Sequence, residues 1–159
     1  MKPSTLKEIK TELNHRSQNE LLELCLRLVR FKKENKELLM YLLFENNDEE
    51  QYIKGIKEEI DEQFENINRK SYFFIRKSVR RILTTIKKYI RYSKKKETEV
   101  ELLLYFCTKL KNFKPTIKKS AQLQNSYYRQ ITFIRKILET LHEDLQYDFE
   151  IEIQKLVDI

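Results

Sequence analysis

Residues 69–96 read RKSYFFIRKSVRRILTTIKKYIRYSKKK. Within them Tyr72, Ile75, Val79, Ile82, Ile86 and Tyr89 recur at steps of three and four, with Leu83 and Ile90 beside them. That spacing puts the apolar side chains on one stripe of an α-helix. No glycine or proline interrupts the run, so nothing in it breaks the helix. The same stretch holds twelve lysines and arginines and no acidic residue. It decides both the fold class and where to look for a partner.

The pattern extends outward. The whole chain has 159 residues, with one glycine (Gly55) and two prolines (Pro3, Pro115). Hairpin turns rely on glycine for positive φ, so a chain this poor in turn residues excludes a sheet fold. The 40% hydrophobic content suffices for a core, and the 36% charged content suits exposed helix faces. The length predicts a single helical domain over residues 1–159.

Local signals divide the chain. Thr5 with Glu8, and Ser17 with Glu20, have capping-box spacing, predicting helices over Thr5–Leu13 and from Ser17 through Phe31. Lys32–Lys36 reads as a turn. Glu37–Glu45 reads as a third helix, apolar on most sides and therefore the most buried element. Asn46-Asn47-Asp48 breaks the chain, with Asp48 as the cap of a helix marked by Ile53, Ile56, Ile60, Phe64 and Ile67. The basic helix follows, then a helix ending near Phe113. A long last helix is predicted over Lys118–Tyr147, with a final segment over Phe149–Val157. The expected fold is all-α: six or seven helices in antiparallel hairpins, forming an irregular bundle or a short α-solenoid.

Outside residues 69–96 the chain has 20 basic and 25 acidic residues, so one segment supplies the whole net charge of +7. On the basic helix Arg76, Lys77, Arg80, Arg81, Lys87, Lys88 and Arg91 share the side opposite the apolar stripe. They form a ridge roughly 30 Å long at about 1.5 Å per residue. Arg91 and Lys94–Lys96 also complement the dipole at the helix C-terminus, as Glu97, Glu99 and Glu101 do at the start of the next helix. The preceding helix offers Glu58, Glu59, Asp61, Glu62 and Glu65, five carboxylates against twelve bases. The surplus fits a polyanion footprint. Tyr72, Phe73, Phe74 and Tyr92 interleave with it, and the aromatics of the stripe belong to the core.

Other chemistry finds little support. One glycine cannot build a phosphate loop. Glu12-Leu-Asn-His15 and Glu139-Thr-Leu-His142 have the Glu-x-x-His spacing of di-iron bundles. His15 falls in a helix break, however, and Glu139 points away from the Leu138/Leu141 stripe, so no metal or other cofactor is expected. Cys25 and Cys107 lie in apolar helical runs and read as buried, reduced thiols of a cytoplasmic protein. The longest apolar run, Leu38–Phe44, is too short to span a bilayer, and MKPSTLKEIK lacks the apolar stretch of a signal peptide.

The opening LKEIKTELNHRSQNELLELCLRL, followed by KENKELLMYLLF, resembles small all-helical bacterial proteins of unknown function. The resemblance implies helical hairpins and no particular activity. The first two helices are also similar to the SAP nucleic-acid-binding motif, except that the glycine usual in its link is missing. The expected function is that of a non-enzymatic scaffold binding another macromolecule, with a protein as the favoured partner. The alternative is a nucleic-acid-binding protein contacting phosphates through the basic helix.

Overall fold

The computed structural model describes residues 4–157. Among them are eight α-helices and no strand, so the chain is all-α. The helix count exceeds the expected six or seven. The extra helix arises where the predicted long C-terminal helix divides.

The chain forms two compact units, Met1–Phe44 and Glu45–Ile159. The first contains α1 (Leu6–Asn14), α2 (Gln18–Phe31) and α3 (Lys33–Met40), and then enters a π-helical turn, Tyr41–Glu45. Both capping boxes form. The Thr5 backbone N–H donates to Glu8 Oε2 at 2.7 Å and the Glu8 N–H to Thr5 Oγ1 at 3.3 Å. Ser17 and Glu20 repeat the exchange at 2.7 and 3.2 Å. These bonds hold the exposed Glu8 and Glu20 carboxyls below their ordinary pKa. α2 packs against α3, and Asn35 Nδ2 donates to the Leu28 carbonyl at 2.8 Å.

Three expectations fail in this unit. Lys32–Lys36 is not a turn: only Lys32 leaves the helix, and α3 already begins at Lys33. The Glu37–Glu45 segment is not the most buried element. Tyr41 is buried, but Leu42, Leu43 and Phe44 are 51%, 59% and 74% exposed. Cys25 is exposed rather than buried. One cause accounts for the last two. Apolar content marks what a helix could bury, while burial needs neighbours on every side. No residue of α1, α2 or α3 is buried.

The second unit contains α4 (Glu49–Glu65), α5 (Tyr72–Ser93), α6 (Lys96–Asn112), a 3₁₀ turn (Ile117–Lys119), α7 (Ala121–Leu138) and α8 (Glu143–Gln154). Asp48 caps α4, accepting from the Gln51 N–H at 3.0 Å. Ile53, Ile56, Ile60, Phe64 and Ile67 are buried as their spacing predicts. Its central element is α6, which packs against α4, α5, α7 and α8. Accordingly Val100, Leu102, Leu103, Leu104, Phe106, Cys107 and Leu110 are all buried. Phe106 and Phe113 meet the ring of Phe64 at 5.9 and 6.0 Å between centroids.

The predicted last helix stops at Leu138. Thr140 turns its hydroxyl back to the Ile137 carbonyl at 2.6 Å, an alternative to the helical ladder. His142 then takes an extended backbone and accepts from the Asp144 N–H through Nδ1 at 3.3 Å. With Glu143 and Asp144 in the first turn, a new helix start is favoured over a continued one. The Tyr127 hydroxyl donates to the Leu156 carbonyl at 2.7 Å, tying the C-terminal segment to α7.

The carboxylates of α4 are engaged mainly by α6 and its start. Asp61 accepts from the Tyr105 hydroxyl at 2.7 Å and pairs with Lys109 Nζ at 2.9 Å. Burial alone would raise Asp61, but these hydrogen bonds and the lysine charge outweigh it and lower its pKa. Tyr105 is pushed up to about 12 by burial and by the Asp61 bond and charge. The depressed Asp61 contributes stability above the ordinary carboxylate range, lost as pH falls through its lowered value. The raised Tyr105 contributes stability below the ordinary tyrosine range, lost as pH rises from about 10 to about 12. Asp61→Asn is expected to flatten both limbs of a stability–pH curve and to lower the tyrosinate midpoint of Tyr105. An unchanged tyrosinate titration would show that this pairing does not form.

Candidate functional site: the basic face of α5 and the α5–α7 groove

The stripe of α5 packs as its spacing predicts. Ile75, Val79, Ile82, Ile86 and Ile90 are buried, and Leu83 is half-buried. Tyr72 and Tyr89 are half-buried and anchored by their hydroxyls. Tyr72 donates to the Thr116 carbonyl at 2.7 Å and Tyr89 to Glu59 Oε2 at the same distance. Tyr92 is buried. Phe73 and Phe74 differ: they are 62% and 42% exposed and meet edge-to-face at 5.5 Å.

With the stripe held inward, the ridge must face outward. Lys77, Arg80, Arg81, Lys87 and Arg91 are exposed, and Arg76 and Lys88 are half-buried. The acids of the unit engage other groups. Glu49 pairs with Lys95 at 2.8 Å and accepts from the hydroxyls of Thr98, at 2.6 Å, and Ser93. Lys57 pairs with Glu101 at 2.5 Å. No ion pair or hydrogen bond reaches the side chains of Arg76, Lys77, Arg80, Arg81, Lys87 or Arg91 among the described residues. Lys87 lies 5.9 Å from the Phe133 ring centroid of α7, and Lys88 lies 4.8 Å from that of Tyr89. The lysines after α5 are bound up in the turn into α6. Lys94 takes φ 57°, closing the helix in the left-handed region.

The ridge has an inner and an outer flank. Arg76, Arg80 and Lys87 line a groove of about 370 Å³ between α5 and α7, together with Val79 and Leu83. From α7 come Gln122, Leu123, Asn125, Ser126, Arg129 and Gln130. Lys77, Arg81, Lys88 and Arg91 lie outside the groove. The groove thus carries four cations and no carboxylate. Gln130 is 2% exposed, and its Oε1 is buried without a hydrogen-bond partner. Its Nε2 makes only a long contact of 3.5 Å to the Ser126 carbonyl.

The α7 wall was missed because Arg129 stands alone among amides and a serine; its signal is proximity to α5, which appears only on folding. A larger groove of about 1020 Å³ between α4 and the start of α6 carries both signs of charge, including the Lys57–Glu101 and Lys95–Glu49 pairs.

The remaining chemical side chains stand apart. His15 closes α1 and His142 caps α8. Cys107 is buried, which pushes its thiol up to about 12. No cluster of three metal-ligating side chains occurs among the described residues. None of the described helices is long and apolar enough to cross a membrane. Comparison with known proteins finds no matching family model, no matching curated protein and no matching solved structure.

Proposed function

We propose that this chain is a cytoplasmic, non-catalytic interaction protein that binds the phosphate backbone of a nucleic acid through the basic face of α5. One observation carries the reading: six of the seven ridge bases have no acidic partner among the described residues. Aligned unpaired cations repel one another, so they add nothing to the stability of an isolated helix. They gain when phosphates replace the counterions around them. The distribution of the unit's acids, directed to Tyr105, Lys109, Lys57 and Lys95, further supports the reading. Titration of labelled single-stranded and duplex DNA by fluorescence anisotropy tests it. Binding is expected at low salt, with affinity falling steeply as salt rises. Absence of binding at about 10 μM protein in low salt would end the proposal.

A second reading, a protein partner, is favoured by the first unit. Leu22, Leu28 and Phe31 of α2 are 56%, 58% and 77% exposed, an apolar surface of the kind that marks protein contacts. Cys25 lies on the same helix and is exposed. A partner covering α2 should slow alkylation of Cys25 in intact cells relative to the purified protein. Equal rates would count against this reading.

A further inference from the structure

We propose that the groove between α5 and α7 receives one nucleotide of a single strand, so that the protein prefers single-stranded nucleic acid to duplex. The inference rests on the phosphate-binding reading above and names its substrate class.

Shape comes first. A volume of about 370 Å³ lies at the small end of the range for small-ligand pockets, about 300–1,000 Å³. Duplex phosphates lie on the convex outside of a stiff cylinder and have their bases stacked inside. A single strand can bend a phosphate and its base into a concave cleft between two helices.

Chemistry comes second. Arg76, Arg80, Lys87 and Arg129 converge on the groove with no acid among its lining residues. Arginine presents a planar fork that matches phosphate oxygens. α7 begins just beside the groove, and Ser120 provides no side-chain cap. The positive end of its dipole therefore adds to the field of the four cations.

The third element separates a nucleotide from a bare anion. Gln130 lines the groove, and its buried Oε1 has no donor. A phosphodiester offers only acceptors and cannot satisfy it. A base amino or imino group, or a ribose hydroxyl, can. The apolar side chains of Val79, Leu83 and Leu123 also line the groove and suit the body of a base better than a hydrated ion. Outside it, Phe73 precedes Arg76 and Lys77 by one helical turn and is largely exposed, where it can stack the neighbouring base.

The test uses the full chain and labelled strands of one sequence, single and annealed, at low and physiological salt. Single strands are expected to bind about tenfold or more tightly than duplex, the scale of one stacked and enclosed base. Arg129→Glu, on the exposed lip of α7, should remove that difference. Arg81→Glu, outside the groove, should weaken both forms alike. Gln130→Met should narrow the spread of affinities among homopolymer strands, and Asn125→Asp repeats the test without touching a buried residue. Circular dichroism confirms that each variant is folded. If single strand and duplex bind equally, and Arg129→Glu harms binding no more than Arg81→Glu, the groove proposal fails while phosphate binding by the ridge survives. If neither form binds, both fail. Poly-glutamate binding as tightly as the strands would assign the groove to an acidic protein and overturn the proposal.

Discussion

Replacement of Arg80, Arg81, Lys87 and Lys88 with glutamate is expected to abolish nucleic-acid binding while leaving the helical content unchanged. Each phosphate contact to a single strand contributes about 0.7 to the slope of log affinity against log salt, so removing four lowers it by about three. Reversal, unlike neutralisation, adds repulsion at four points along the ridge. The fold should survive. Arg80, Arg81 and Lys87 make no ion pair or hydrogen bond through their side chains among the described residues. What is lost is the approach of Lys87 to Phe133 and of Lys88 to Tyr89, at 5.9 and 4.8 Å. Exposed contacts of that kind contribute about 0.5–1 kcal/mol each. Circular dichroism and the anisotropy titration together decide the matter. A variant that loses its helicity would mean that the ridge is bound internally, and the functional reading would fall with it.

The largest stability effect should come from Phe106→Ala. Phe106 is fully buried in α6, and its ring meets that of Phe64 at 5.9 Å. Truncating such a residue costs about 3–5 kcal/mol, from lost transfer energy and from the cavity left behind. That is a large share of a typical domain's stability of about 5–15 kcal/mol. The melting temperature should fall by about 10 °C or more. Phe44→Ala is the informative contrast. Phe44 lies in the segment whose sequence looks most buried, yet it is 74% exposed. Its replacement should change stability by no more than about 0.5 kcal/mol. Thermal or urea melts of the two variants would show whether α6 or the Leu38–Phe44 run holds the core.

The difference between those two phenylalanines shows what the chain reveals of itself. Features that depend on nearby residues were legible. Thr5–Glu8, Ser17–Glu20 and Asp48 act as caps where their spacing says. The stripes of α4 and α5 are buried at the residues that the three-and-four spacing picks out. Features that depend on how many neighbours a helix acquires were not. Leu38–Phe44 and the apolar residues of α6 look alike in sequence, but only α6 has four helices against it. The break between α7 and α8 was hidden because Leu141 continues the apolar spacing of Leu138, while the hydroxyl of Thr140 and the ring of His142 open the new start. The seven ridge bases could be read from α5 alone. Their division into groove-lining and outer sets required α7.

The engagement of acids by α6 has a kinetic consequence. The exposed carboxylates Glu58, Glu62 and Glu65 remain on α4, while exposed Lys77, Arg80, Arg81, Lys87 and Arg91 stand on α5. Separated charge of this kind gives the unit an electric dipole, and a distant polyanion exerts a torque on it before any contact forms. The torque turns α5 toward the polymer, so a larger fraction of encounters begins in a productive orientation. The benefit reaches only about a Debye length, roughly 8 Å at physiological ionic strength and 30 Å at 0.01 M. The arrangement therefore favours rapid capture and rapid rebinding along a strand, and its influence would appear in the association rate as much as in the residence time.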